Sequence, residues 1–327
     1  MSDLLTKNRE ILLTGLRDAM SGPSPLLGIV RRHVGIEDEA GRPTDAAGKL
    51  LRPSLVLFIA DELGGRPRAA LPAAVALELV HNFSLVHDDI QDRDRTRRGR
   101  PTLWAVHGEA EAINAGDLLH AIAAREAARC GAPAAACLAE ATLDMIEGQS
   151  LDLSYERRFV KIDEYHAMID RKTGALLRCA LELGGLVAGA PPDVLVSLRK
   201  LGLALGRAFQ IRDDALGIWG DGDVVGKPQG SDVRRRKKSF PVVWTGARAD
   251  AADRAKLEAV YSGDVVREED VAWVIALMER AGAAPAADLA VRQHLAAAAN
   301  VLDAIPLSPR GRTEIDDLIS YLAGRAK

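Results

Sequence analysis

The chain has 327 residues, of which 48% are hydrophobic and 27% charged, so it is neither a disordered nor a collagen-like polymer and can bury a large core. Aromatics make up only 4% while Ala, Leu, Arg and Glu recur throughout, a bias that favours helix and disfavours a sandwich or barrel. A net charge of −3 argues against nucleic-acid binding as the main activity.

The N-terminus begins Met-Ser-Asp-Leu-Leu-Thr-Lys, with charges where a signal peptide needs an apolar stretch. No uninterrupted apolar run approaches the ~18 residues of a membrane span. Cys130, Cys137 and Cys179 are odd in number and lack CxxC spacing, so neither a disulfide framework nor a zinc knuckle is indicated. A cytoplasmic protein without a membrane span is expected.

Gly, Pro and Asp place loops at Gly35–Gly48, Arg93–Thr102, Gly189–Asp193, Gly220–Pro241, Ser262–Asp270 and Ile305–Arg312. Between them apolar residues recur every three or four positions, as in Leu198, Leu201, Leu205 and Phe209. No alternating strand run, low-complexity linker or repeat stands out. The expectation is one all-α domain over 1–327.

The richest stretch is Leu77 to Asp92, apolar on nearly every side up to Val86 and then carrying Asp88, Asp89 and Asp92. At 3.6 residues per turn, Asp88 and Asp92 lie one above the other. A lone DDxxD is most simply a solvated helix end. Buried together, however, such acids call for a hard divalent cation, and Mg²⁺ takes one or two carboxylates plus substrate phosphates. Gln210, Asp213 and Asp214 repeat the arrangement on a second apolar helix. Each cluster is followed by a basic loop, the first with Arg97 and Arg98, the second running from Gly226 to Pro241. Acids that hold metals, metals that hold a diphosphate, and Arg or Lys that neutralise the remainder would form one metal–phosphate site. Asp316-Asp317 lacks such a loop and reads as a solvated face.

These motifs, in this order and spacing from Gly48 to Pro241, resemble the trans-isoprenyl diphosphate synthases of the polyprenyl synthetase family. Gly48-Lys-Leu-Leu-Arg-Pro53 is similar to GKRxRP. His81 falls seven residues before the first aspartate, and Glu147-Gly-Gln149 and Tyr165 with Lys172-Thr173 fit the middle motifs. Lys227 and Lys237 fall on the two lysines of the last basic loop.

The resemblance implies a large helical bundle around a central cavity and a homodimer. It implies three Mg²⁺ ions on an allylic diphosphate, with Asp88, Asp92 and Asp213 as ligands and Asp89, Asp214, Thr173 and Gln210 in support. Arg97, Lys172, Lys227 and Lys237 neutralise that diphosphate. Lys49, Arg52, His81 and Arg98 bind isopentenyl diphosphate without metal. Helix geometry independently puts His81, Asp88 and Asp92 on one stripe.

Two departures stand out. Leu50 replaces a basic residue, and Gly217 replaces the third aspartate of the second motif, for which Asp221 could compensate through water or else serve as a plain loop acid. A bulky Phe83 with a small Ser84 resembles geranylgeranyl-type enzymes, although on an ideal helix Phe83 turns about 140° from Asp88 and Ser84 only about 40°. Geranylgeranyl diphosphate is the expected product, with farnesyl diphosphate as runner-up. A class I terpene cyclase, which handles a single diphosphate, and an inactive partner subunit are the competing readings. His87 reads as a packing residue, His120 as tunnel lining or packing, and the members of Arg234–Lys238 other than Lys237 as solvated.

Overall fold

The computed structural model describes residues 3–97, 99–156, 158–220, 229–263 and 265–324. Helix accounts for 76% of the chain, as its composition implies. Besides an isolated bridge between Glu37 and Pro43, the described residues depart towards sheet in a two-residue antiparallel pair, Thr96–Arg97 with Arg100–Pro101, inside the loop expected at Arg93–Thr102. It is too short to have left an alternating pattern in the sequence.

The chain folds as two compact units. The first comprises Met1–Thr142, Arg178–Arg199 and Ala304–Glu314; the second comprises Leu143–Leu177, Lys200–Asp303 and Ile315–Lys327. Four of the five boundaries, at 142, 177, 199 and 314, fall inside helices, so no linker composition marks them; the fifth, at 303, follows the end of Ala283–Leu302.

The first unit is organised on the 25-residue helix Pro67–Gln91. Pro67 opens it where a missing N–H costs nothing. It packs against Arg9–Ala19, Leu51–Glu62 and Glu109–Ala128. Ala70, Ala73, Ala74, Ala76, Leu77 and Leu79 are fully buried, and small alanines let neighbouring helices approach closely. Among the described residues this is the one helix long and apolar enough to cross a membrane. An 18-residue window of it reaches a mean hydropathy of 1.5, because Glu78, His81 and Asn82 interrupt the run without outweighing it. Two thirds of that window is buried in protein, which fits a core helix.

In the second unit, Ile218, Val233, Val242, Leu257, Val274 and Met278 anchor a core shared by several helices. The short helix Phe240–Gly246 packs on Ile162–Ile169, Glu268–Arg280 and Ala283–Leu302. Between Ile162–Ile169 and Ala175–Ala188 the helical run continues through a π-helical turn, Asp170–Gly174. Two glycine contacts explain its fit. A Cβ on Gly148 would stand 2.2 Å from the backbone nitrogen of Lys172, and one on Gly206 would stand 2.7 Å from the Cα of Gly174. Asp170 is clamped by both Arg207 Nε and Nη2 at 2.6 Å.

Candidate active site

The first aspartate cluster sits where Pro67–Gln91 ends. The end is a Schellman turn: Arg93 N–H donates to Ile90 O at 3.3 Å and Asp94 N–H to Asp89 O at 3.0 Å. Arg93 holds the left-handed position with φ 56°, where glycine is usual. The three acids therefore meet different surroundings. Asp88 is half-buried and Asp92 exposed, while Asp89 is buried at 1% exposure. Burial pushes the Asp89 carboxyl above its ordinary range against the opposing pull of Arg97. Arg97 Nε and Nη2 both reach Asp89 Oδ1 at 2.8 Å, so this guanidinium braces the motif from the hairpin strand. Thr102 Oγ1 and Trp104 Nε1 both donate to Asp94 O at 2.7 Å and tie the hairpin down.

On the same unit Arg52 Nη1 and His81 Nε2 lie 3.4 Å apart, and Lys49 is exposed just before the Arg52 helix. Leu50, at the position that departs from the motif, is 3% exposed and in the left-handed region with φ 50°, so its side chain is a core residue. Phe83 is buried, with its ring 4.9 Å from His87 edge-on and 5.2 Å from His120 in a stack. His87 is a packing residue for which Gly116 makes room: a Cβ there would be 2.2 Å from His87 Nε2. Ser84 Oγ donates to His81 O at 2.8 Å.

In the second unit Asp214 is the hub. Its Oδ1 accepts from Gln210 Nε2 at 2.8 Å and Lys237 Nζ at 2.9 Å; its Oδ2 accepts from Tyr165 Oη at 2.7 Å and Phe240 N–H at 2.9 Å. Thr173 Oγ1 donates to Gln210 Oε1 at 2.6 Å, which extends the network to the π-turn. Lys172 Nζ pairs with Asp152. Despite its burial, Lys237 is held well above the usual lysine range by Asp214, Asp232, Asp213 and Asp152 around it. Asp213, next in sequence to this hub, is exposed and makes no hydrogen bond or ion pair among the described residues. Arg236, with φ 55°, forms the same Schellman turn as Arg93: its N–H donates to Val233 O and that of Lys237 to Asp232 O, both at 2.9 Å. That turn swings Lys237 back towards the acids.

A family model described as polyprenyl synthetase matches residues 36–278, about three quarters of the chain. The chain belongs to the polyprenyl synthetase family. It is 40% identical over 306 residues to a (2E,6E)-farnesyl diphosphate synthase of Mycobacterium tuberculosis, covering 91% of this chain and 85% of that one. It is also 40% identical over 295 residues to a geranylgeranyl diphosphate synthase of the same organism, covering 87% and 83%. The crystal structure of a polyprenyl synthetase from Streptomyces coelicolor superposes with a TM-score of 0.88 at 38% identity, covering 98% of both chains. The fold is the all-α isoprenoid synthase fold, and the chain is a trans-prenyltransferase.

Against the family motifs, the structure brings Asp89 to Arg97, Arg52 to His81, and Thr173, Gln210, Asp214 and Lys237 into one network. Arg98, Lys227 and Asp221 lie outside the described residues. The remainder of the Arg234–Lys238 run is not simply solvated. Arg234 clasps Glu268 through two 2.8 Å bonds, and Arg236 donates to Gly263 O. Lys238 is 3% exposed, with Nζ 4.6 Å from the ring of Tyr261 and 5.4 Å from that of Phe159. Burial lowers the Lys238 amine to about 8. Asp152 and Asp232 were not among the sequence-derived candidates.

A divalent cation suits these carboxylates unequally. Asp214 has both oxygens engaged by four donors and Asp89 leans on Arg97, whereas the neighbouring Asp213 has its oxygens free of protein donors among the described residues. Among the described residues no three acids, histidines or cysteines converge on one point. That suits an ion which completes its shell with substrate phosphate and water.

Proposed function

We propose that this chain joins isopentenyl diphosphate to an allylic diphosphate of five to fifteen carbons and releases geranylgeranyl diphosphate, with farnesyl diphosphate as the second reading. The carrying observation is the Arg52–His81 pair, a basic corner whose two residues belong to neither aspartate motif. A condensing enzyme has two diphosphates to bind, and a cyclase has one. Lys49, Arg52, His81 and Arg98 would hold the diphosphate that must not ionise. Asp88, Asp92 and Asp213 would hold magnesium, for which three ions are expected. Bound magnesium supplies positive charge to the leaving diphosphate and so eases rupture of the allylic C–O bond.

The chain's own cations add to that charge. Lys172 and Lys237, with Arg97 and Lys227, lie on the sequence motifs that meet the allylic diphosphate, and Lys237 is kept protonated by its four acids. Heterolysis of the C–O bond leaves an allylic cation. The terminal alkene carbon of isopentenyl diphosphate forms the new C–C bond, and the proton lost afterwards goes to the released diphosphate. Asp89 and Asp214 act in support, Asp214 by fixing Gln210, Tyr165 and Lys237. Phe83, backed by His87 and His120, supports the longer of the two products through its place beside Ser84. A cytoplasmic homodimer completes the reading, supported by exposed Leu143 and Ile146 one turn apart on Ala132–Tyr155.

The test is incubation of the purified chain with Mg²⁺, isopentenyl diphosphate and each of the C5, C10 and C15 allylic diphosphates, followed by mass analysis. A C20 product is expected, and a product stopping at C15 selects the second reading. Hydrocarbon formed without isopentenyl diphosphate would mean a cyclase. No turnover by the chain alone would mean a partner subunit.

A further inference from the structure

Arg9 stands outside the stretch matched by the family model, residues 36–278, and in none of the motifs described above. It opens the helix Arg9–Ala19, is half-buried, and turns its guanidinium to the loop that runs into Lys49. Nε donates to Asp45 Oδ2 at 2.8 Å, Nη2 donates to Asp45 Oδ1, and Nη1 donates to the Gly48 carbonyl oxygen at 2.8 Å. The two-point grip on Asp45 fixes the plane of the guanidinium and so the direction in which Nη1 points. The same bonds hold the Asp45 carboxyl below the usual carboxylate range. About two turns further along the helix, Arg17 Nη2 donates to Thr44 O at 2.9 Å. One helix thus secures the loop at Thr44, Asp45 and Gly48.

The end of this loop has an unusual backbone. Gly48 has φ 69° and Leu50 φ 50°, so Lys49 lies between two left-handed residues. Glycine takes that conformation freely, whereas Leu50 does so against its preference. Leu50 is anchored by its own core side chain, 3% exposed, and by Ser54 N–H, which donates to its carbonyl at 3.0 Å. On the other side, the Gly48 carbonyl and the Lys49 N–H belong to one planar peptide unit. A donor fixed on that oxygen, together with the anchored Leu50, sets the direction in which the Lys49 side chain leaves the backbone. Lys49 is exposed and stands three residues before Arg52.

We infer that Arg9 is a positioning residue for isopentenyl diphosphate: by clasping Asp45 and the Gly48 carbonyl, it aims Lys49 at the diphosphate that is bound without metal. This rests on the function proposed above. Arg9 acts through the loop and touches neither substrate.

Steady-state kinetics of the full chain, with each substrate varied in turn and unfolding midpoints recorded alongside, test the role. Arg9→Ala should raise KM for isopentenyl diphosphate about tenfold, equivalent to roughly 1.4 kcal/mol. KM for the allylic diphosphate should stay within about twofold of the parent and kcat within about threefold. Lys7→Ala is the control: it removes a neighbouring ion pair, Lys7 Nζ to Asp61 Oδ2 at 2.7 Å, that does not touch the loop, and should leave all three constants parent-like. An unchanged KM for isopentenyl diphosphate in Arg9→Ala overturns the inference. So does a loss spread equally over both KM values and kcat, or a rise in Lys7→Ala that matches the one in Arg9→Ala. Should Arg9→Ala fail to fold, Asp45→Asn decides. It deprives the guanidinium of its charged partner and should raise the same KM selectively, by about threefold or more, and parent-like behaviour overturns the inference. Arg52→Ala separates this role from the function it rests on. If neither Arg52→Ala nor Arg9→Ala moves the KM for isopentenyl diphosphate, the reading of this corner fails as well; if Arg52→Ala alone moves it, only the role of Arg9 fails.

Discussion

Two adjacent aspartates should respond oppositely to one substitution. In Asp214→Asn, one of the two acceptor oxygens becomes an NH₂ group. If that group faces Tyr165 and Phe240, the tyrosine hydroxyl can reverse and accept, but the Phe240 N–H is left without an acceptor. If it faces Gln210 and Lys237, a charge-assisted bond is lost instead. An orphaned buried donor costs about 1–3 kcal/mol, and weakening the lysine bond adds about 1 kcal/mol after allowing for the remaining exposure of Lys237, so the loss should be about 2–4 kcal/mol. Asp213→Asn touches an exposed carboxylate with no protein donor among the described residues, and surface changes of that kind stay within about 0.5 kcal/mol. Turnover should reverse the ranking of cause: Asp213→Asn loses it by orders of magnitude with its fold intact. Urea unfolding followed by far-UV circular dichroism, with product formation measured on the same samples, separates the two. Equal stability losses in both variants, or a loss under about 1 kcal/mol in Asp214→Asn, would refute the assignment of Asp214 as the hub.

Three further outcomes are expected. Arg52→Ala should raise KM for isopentenyl diphosphate chiefly, and a loss confined to the allylic substrate would mean the two diphosphate sites are exchanged. Phe83→Ala should lengthen the product as seen by mass analysis; an unchanged distribution in soluble, active protein would place the stop elsewhere on Glu109–Ala128. His294 is lowered from 6.5 to about 4 by burial, by Arg207 and by His166. Because the unfolded chain takes up that proton first, stability should fall as pH drops from about 6.5 through about 4, and His294→Gln should flatten that slope in pH-dependent unfolding.

The aspartate helices were legible because an apolar run ending in acids at i and i+4 has few other physical uses. The hairpin carrying Arg97 was legible only as a loop, since two paired residues leave no alternation. Lys238 looked like one more solvated cation in a basic run, but its neighbours Phe159 and Tyr261 are distant in sequence and their ring faces draw it inside. Asp232 was hidden for a related reason: it meets Gly217 through folding across fifteen residues, part of them outside the described chain. Arg93 and Arg236 were hidden too. Each sits where glycine would be expected, at a left-handed cost of about 1–2 kcal/mol that only packing of the surrounding turn can offset.

The π-turn at Asp170–Gly174 has an implication for how this stretch can change by insertion or deletion. Such a turn holds about one residue more than a regular α-turn, so removing any one of its five residues lets the helix close up into ordinary geometry. The flanking helices then keep their phase, while side chains inside the turn shift by about one position, each about 100° round. Tyr165 before the turn reaches Asp214, while Lys172 and Thr173 within it reach Asp152 and Gln210, so such a cut preserves the first contact and abandons the other two. A shortened chain could gain backbone regularity and still lose the register on which its polar network depends. Length in this segment should therefore be fixed more strictly than residue identity.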